Sequence, residues 1–423
     1  MDARVCGAIV IVAAMTAPGT PAAQPKDAPK AADDKQQADP PDEVEPDQPE
    51  GEPKASPKGA PPAAATIVLA APRFQWELFG YLRLQYVAVQ NDPNIAFVGR
   101  GDGFALQNAR IGVIGRLDRR AAFVVSFDGA VDEREQINVP DGKLRVGLRD
   151  AFADVALGSR LEQEPGVSDV PFNLAVRGGF FQTWAEPESL VPDTAREFID
   201  RPIESRGIRA TEGFQTQGLT PGRSLGVALR LDPAVSQAGL GAGFELAVQN
   251  GADEFASNND NDKPAVSLAG LLRFAHAGYL VLAGRYNPRS VGDLPFRQDE
   301  DDLQGSAGVR FVAGPVSVAG AAVFVRTSFP TTGGPVQNSF GTHSQLMVRF
   351  GPDTMPFAVG YRFGILDPSS LIVTDRVMEH TAGLVLGVPR YRMRLQLQLT
   401  HSIEQGAREL SNSRAQVAAE VSL

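Results

Sequence analysis

Cysteine is all but missing: the single residue, Cys6, lies inside an apolar N-terminal run. A processed chain would therefore carry neither a disulfide nor a cysteine metal site. Long hydrophobic runs are missing as well, the longest being Val5 to Ala17. A helical membrane span needs roughly 20 consecutive apolar residues, which argues against a helical transporter. There is no basic excess. Forty Lys and Arg stand against 50 Asp and Glu, a net charge of −10, so the footprint of a nucleic-acid binder is lacking.

Histidine is scarce too, and the enzymatic readings fail on it. Only His276, His343, His380 and His401 are present. His343 and Ser344 are neighbours on a strand pattern, so their side chains point to opposite faces and cannot form a nucleophile–base pair. Gly305-Ser306-Ala307-Gly308 lacks the strand–turn–helix setting of a nucleophile elbow. The run Asn258-Asn259-Asp260-Asn261-Asp262 lacks the glycine and downstream glutamate of an EF-hand calcium loop. The expectation is a protein without catalytic residues, cofactor or bound metal.

What is present falls into three parts. Residues 1 to 23 read as an export signal, with Arg4 before the apolar core and Pro21-Ala22-Ala23 before Gln24. Residues 24 to 73 are rich in Pro, Ala, Lys, Asp and Glu and have almost nothing to fill a core, the composition of a disordered periplasmic linker. From Phe74 to Leu423 apolar and polar residues alternate with period two, broken repeatedly by turns, which is a strand signature. In Tyr391 to Thr400 every odd position is apolar and every even one polar, and the chain ends inside a similar alternation over Ala415 to Leu423.

Sixteen such segments are expected, near 78–89, 104–117, 121–130, 144–157, 173–181, 223–231, 239–250, 264–274, 278–287, 303–312, 316–327, 343–350, 356–366, 379–388, 390–402 and 414–423. Short turns (Asp118-Arg119-Arg120, Ala275-His276-Ala277, Ala313-Gly314-Pro315, Gly351-Pro352-Asp353 and Pro389) alternate with longer polar loops such as Pro288 to Asp302 and Pro330 to Thr342. That asymmetry belongs to a transmembrane barrel. The fold class is all-β, a transmembrane antiparallel β-barrel of 16 strands, favoured over a soluble sandwich or propeller by the export signal and the uncharged faces.

With polar faces taken as the lumen, Arg83, Arg110, Arg116, Arg177, Arg230, Arg273, Arg285, Arg310, Arg349, Arg362, Arg392 and Arg394 point inward as pore-lining, anion-binding residues. The inward acids are fewer: Asp128, Asp150, Asp154, Glu245 and Glu420. The wall is thus positive although residues 74 to 423 carry a net −6, and local sign governs a permeating ion. Selectivity would need a constriction. The connection Gln182 to Gly222, which mixes apolar anchors with charge and contains Arg196 and Arg201, reads equally well as an inward constriction loop or as an external one.

Three stretches resemble the phosphate-selective porin O and P family of Gram-negative outer membranes. Phe104-Ala105-Leu106-Gln107-Asn108-Ala109-Arg110-Ile111-Gly112-Val113 is similar to the family's early Arg-Ile-Gly hairpin; Asp150-Ala151-Phe152-Ala153-Asp154 followed by Leu174 to Phe181 is similar to the strands leading to its constriction loop, and Ser189 to Arg201 to that loop itself. Gln249-Asn250-Gly251 with the Asn-rich run after it also fits, so the resemblance spans about residues 77 to 275. It implies a sixteen-stranded trimeric barrel in the cell outer membrane whose lumen arginines pass anions inward past a folded loop. The sequence departs from the family in lysine: only Lys143 and Lys263 occur beyond residue 73, where phosphate-selective members use lysine clusters as well as arginine.

The expectation is therefore an outer-membrane porin for passive diffusion of small anions such as phosphate, a homotrimer with outer-membrane lipid and small anionic solutes as partners and no nucleic acid. A sugar porin is the alternative among channels, though two Trp and six Tyr offer little stacking surface. A non-conducting structural or adhesive barrel is the alternative in another class.

Overall fold

The computed structural model describes residues 74 to 423 apart from 100–101, 118–119, 131–145, 158–171, 210–211, 234–238, 252–260, 275–276, 292–296 and 407–409. The expected signal peptide and linker, Lys143, Asn258 to Asp260 and His276 lie outside the described residues.

Sixteen strands form one closed sheet: β1 Phe74–Val89, β2 Gly103–Leu117, β3 Ala121–Asp128, β4 Gly147–Ala156, β5 Phe172–Phe181, β6 Ser224–Pro233, β7 Leu240–Gln249, β8 Ala265–Phe274, β9 Gly278–Val291, β10 Gln298–Ala313, β11 Val316–Ser328, β12 Gln337–Phe350, β13 Phe357–Asp367, β14 Val377–Val388, β15 Met393–Glu404 and β16 Arg414–Ser422. Each strand pairs antiparallel with its chain neighbours, and β1 closes on β16 from Tyr81↔Ser422 to Val89↔Arg414. Closure leaves no unpaired edge, which a bilayer requires because it offers no water to backbone groups.

Sequence alternation produces this architecture with inside and outside exchanged relative to a soluble protein. On β15, Leu395, Leu397 and Leu399 are exposed while Gln396, Gln398 and Thr400 are buried. On β1, Leu78, Leu82, Leu84 and Tyr86 face outward and Arg83 and Gln85 inward. Rings gather near the ends of the outer band. Phe74–Phe123, Phe274–Phe311 and Phe350–Phe357 meet near the short-turn end, and Tyr86–Phe104 near the long-loop end. Two aromatic belts around an apolar band are the outer dress of a bilayer-spanning barrel. Among the described residues no helix is long and apolar enough to cross a membrane.

Two expectations are corrected. Pro288–Asp302 and Pro330–Thr342 read as long loops, but β9, β10 and β12 extend into them. Past the apolar band both faces of a strand are polar, so alternation vanishes while pairing continues through Arg289–Glu300 at 2.8 Å, Arg289–Asp302 at 2.9 Å and Thr327–Asp302 at 2.6 Å. Arg392, expected inside a strand, sits instead in the β14–β15 turn. Pro389–Tyr391 form a 3-10 turn, Arg392 follows it in the left-handed region at φ 50°, and β15 starts at Met393.

Candidate functional site

The connection from β5 to β6, residues 182 to 223, folds into the barrel. Its prolines segment it: Pro187 opens the 3-10 turn Pro187–Leu190, Pro192 precedes Asp193–Ala195, and Pro202 precedes the short helix α1, Ile203–Arg206, which Gly207 ends at φ 74°. A loop inside a barrel needs apolar anchors and partners for its backbone, and the wall supplies both. Trp184 packs against Ala269, Leu271 and Val281; Ile203 against Leu366 and Val377; Phe198 against Met347 and Ala358.

The inward glutamines and several arginines serve the loop backbone. Arg83 donates to the Asp193 carbonyl (3.0 Å), Gln107 to Ile199 (3.0 Å), Arg362 to Asp200 (2.9 Å) and Arg394 to Arg196 (2.7 Å), while Gln398 accepts from the Ile199 amide at 2.9 Å. Buried backbone groups are rarely left unpaired, and this explains the glutamine-rich inner face of β15 and β16.

Four inward glycines provide room. A Cβ on Gly308 would lie 2.3 Å from Pro187, one on Gly341 2.3 Å from Glu204, one on Gly364 2.9 Å from Ile203, and one on Gly383 2.8 Å from Phe198. Glycine at lumen parity is therefore the seat of the loop, a signal legible in the sequence once the inner face is assigned.

Charge completes the docking. Asp193 meets Arg196 (2.7 Å), Arg110 (3.2 Å) and the Tyr81 hydroxyl (3.1 Å). Glu197 accepts from Arg310 (2.8 Å), Gln345 (3.0 Å) and Arg349 (3.3 Å). Asp200 lies against Arg209 (3.3 Å), Arg414 (3.2 Å) and Gln416 (3.1 Å), and Arg414 also reaches Glu212 (3.1 Å) and Glu379 (3.0 Å). Burial pushes the Asp193, Asp200 and Glu212 carboxyls up, but the facing guanidiniums outweigh it and hold all three below their usual range, Glu212 at about 2.

The twelve arginines expected to line a pore thus divide. Arg83, Arg310, Arg349, Arg362 and Arg394 hold the loop, and Arg83 is only 1% exposed. Arg116 reaches Glu77 at 3.4 Å near the short-turn end, Arg273 is exposed beside its turn, and Arg285 is buried on β9. Arg110, Arg177 and Arg230 line a chamber beside the loop, together with Arg196 and Arg223. The fourth and fifth members, like Arg149, Arg206, Arg209 and Arg414, contact loop or wall carboxylates. The sequence reading passed over Arg223 and Arg414. Arg414 shares the inward parity of Gln416 and Glu420 on β16, whereas Arg223 precedes β6 and falls on the outward parity of that strand.

The chamber measures about 470 Å³ and lies between the first part of the loop, residues 182 to 196, and the inner faces of β1 to β6. Its five guanidiniums face three carboxylates, Asp150, Glu188 and Asp193. Arg177 is bidentate to Asp154, both bonds 2.7 Å, and lies 3.8 Å over the Phe152 ring; Arg230 bonds Glu245 at 2.8 Å and lies 4.9 Å over Trp184. These pairs fix the planes of the two guanidiniums. Arg201, expected in the constriction, reaches Glu186 at 3.3 Å. Among the described residues no group of three His, Cys, Asp or Glu side chains gathers as a metal site.

No protein-family model matches this chain, and no curated protein matches it. Solved structures do. The trimer form of OmpT, an outer membrane protein of Vibrio cholerae, superposes with a TM-score of 0.54 at 10% identity over 83% of this chain and 99% of that one. The outer membrane channel DcaP of Acinetobacter baumannii gives 0.53 at 12% identity over 83% and 97%. An anion-selective porin from Comamonas acidovorans gives 0.52 at 13% identity over 83% and 100%. The chain therefore has the fold of the outer-membrane porins and channels, a closed sixteen-stranded barrel that spans the bilayer.

Proposed function

We propose that this protein is a porin of the Gram-negative outer membrane, a water-filled channel for passive diffusion of small anions such as phosphate, assembled as a homotrimer and without enzymatic activity. The observation that carries the reading is the chamber beside the inward loop, where five arginines face three carboxylates. Asp154 and Glu245 pair with two of the five from behind the lining, so the surface met by a permeating ion presents more guanidiniums than carboxylates in a chain of net −10. An anion passing the loop exchanges water for guanidinium donors whose planes are already fixed by Asp154 and Glu245, and fixed forks suit carboxylate or phosphate oxygens.

Magnitude sets the scale of selectivity. A unit charge pair at about 4 Å is worth about 1 kcal/mol in water and about 4 kcal/mol at an effective dielectric of about 20. A preference for anions as a class follows from the lining, and phosphate adds two or more acceptor oxygens for neighbouring guanidiniums. The test is chloride current through single channels in planar bilayers with phosphate added. Block at micromolar to millimolar phosphate supports an anion site in the path; chloride current indifferent to phosphate reduces the protein to a general anion pore.

A non-conducting structural barrel is favoured by one specific observation: the loop covers much of the inner face of β13 to β16, where Gln398, Gln416, Thr381 and Arg414 are nearly inaccessible. Absence of current from folded protein would select that reading.

A further inference from the structure

The outer face of the barrel carries one feature that channel function does not use. His380 on β14 and His401 on β15 are directly opposite each other, and both point away from the lumen. They are near the long-loop margin of the apolar band, since β14 begins at Val377 and Arg376 just before it pairs with Asp367 at 2.8 Å. The outward pair on the long-loop side of them is Met378↔Ile403 and the pair on the other side is Ala382↔Leu399, with Phe363 opposite His380 on β13. An ionisable side chain facing hydrocarbon is costly and rare, and here two imidazoles adjoin.

Each ring is oriented by a hydroxyl. The Tyr361 hydroxyl is 2.6 Å from His380 Nδ1, and the Ser413 hydroxyl is 2.9 Å from His401 Nδ1. Tyr361 is on β13 and Ser413 precedes β16, so the hydroxyls flank the pair from opposite sides. The Nδ1 edges are thus turned apart, and both rings line a groove of about 640 Å³ over Ala382 and Ala415. Neither Nε2 has a hydrogen-bond partner among the described residues. Directly opposed residues have Cβ atoms about 4.5–5.5 Å apart, a separation at which two imidazoles can share one ion at roughly 2.0–2.1 Å from each nitrogen.

We propose that His380 and His401 form a two-histidine site for a divalent transition-metal ion on the bilayer-facing wall, with Tyr361 and Ser413 as positioning residues. The two Nε2 lone pairs coordinate the ion, the Nδ1–H groups donate to the Tyr361 and Ser413 oxygens, and water or a lipid phosphate oxygen fills the remaining positions. Imidazole ligands favour zinc, copper or nickel over calcium or magnesium, and a hydroxyl on the other ring nitrogen is the outer-shell arrangement that fixes a ligating tautomer. The proposal is independent of anion conduction, since the site is on the opposite face of the wall from the loop.

Equilibrium dialysis of the folded, detergent-solubilised full chain against Zn²⁺, with Co²⁺ absorption as the reporter of nitrogen ligation, tests it. The expected result is one equivalent per chain with a micromolar dissociation constant, weakened at least tenfold in His380→Gln and in His401→Gln and a few-fold in Tyr361→Phe, with single-channel conductance unchanged. Should the glutamine variants fail to fold, Zn²⁺ protection of these histidines from diethyl pyrocarbonate in the unaltered protein serves instead. No saturable binding, binding retained in both histidine variants, or modification indifferent to Zn²⁺ would overturn the proposal.

Discussion

The two sides of the lumen are built from the same strand pattern and do opposite things. Along β13 to β16 the inner face is buried under the loop: Arg414, Gln398, Gln416, Thr381 and Glu379 are all at most 4% exposed, and Arg414 touches three carboxylates at once. Along β2 to β6 the loop touches the wall at fewer points, among them Gln107 and Arg110, and leaves a chamber onto which Arg110, Arg177 and Arg230 open. An inward arginine is thus an anchor where loop groups cover it and a lining group where only a wall carboxylate holds it, as Asp154 holds Arg177; Arg110, which Asp193 reaches at 3.2 Å, is both. Position relative to residues 182 to 223 decides the role, and strand parity alone does not.

The largest expected contrast is in stability. Arg414→Met leaves Asp200, Glu212 and Glu379 buried without their shared cation, and breaking a buried pair in this way costs about 3–5 kcal/mol. Arg177→Gln on the chamber side removes a single bidentate pair with Asp154, whose partners keep 13% and 18% of their side-chain surface, and is expected to cost less. The temperature at which the folded band converts to the unfolded one on gels separates the two; equal shifts would mean that the sides are not energetically different.

Next comes overfilling of a loop seat. Gly341→Val sets side-chain atoms against Glu204, at an overpacking cost of about 1–3 kcal/mol, and is expected to displace the loop and raise single-channel conductance. Gly270→Val on the outer face, where a Cβ meets nothing within 4 Å, should leave conductance and stability unaltered. A conductance equal in both variants would separate the loop from the permeation path.

Acid should act on the docked side within a defined window. Carboxyls held below their usual range contribute stability that is complete above the unfolded value near pH 4 and is lost as pH falls through the folded value. For Glu212 that value is about 2. Loop docking is therefore expected to hold at pH 5 and to weaken between about pH 4 and 2, read as a rise in conductance noise and in protease access to residues 182 to 223. Release already complete at pH 5 would contradict the Arg414 cluster as the clasp.

Much of the fold was legible because a bilayer imposes period two on every strand, and all sixteen segments occur close to the expected positions. What escaped was the polar extension of β9, β10 and β12, where both faces meet water and hydropathy carries no phase. The twelve arginines were mostly placed on the correct face, Arg392 being displaced by the turn after Pro389. Their division into anchors and lining was not legible. It depends on Asp193, Glu197 and Asp200 crossing the lumen from a loop whose direction a linear pattern leaves open, although the inward glycines at 308, 341, 364 and 383 mark its path.

The most direct test of the arginine-lined chamber as an anion path is the reversal potential in a planar bilayer under a KCl gradient, compared between the natural chain and Arg110→Gln combined with Arg177→Gln. The account predicts a potential near that of chloride for the natural chain, moving toward zero in the double variant. A cation-selective potential, or one that the double variant leaves in place, would contradict it.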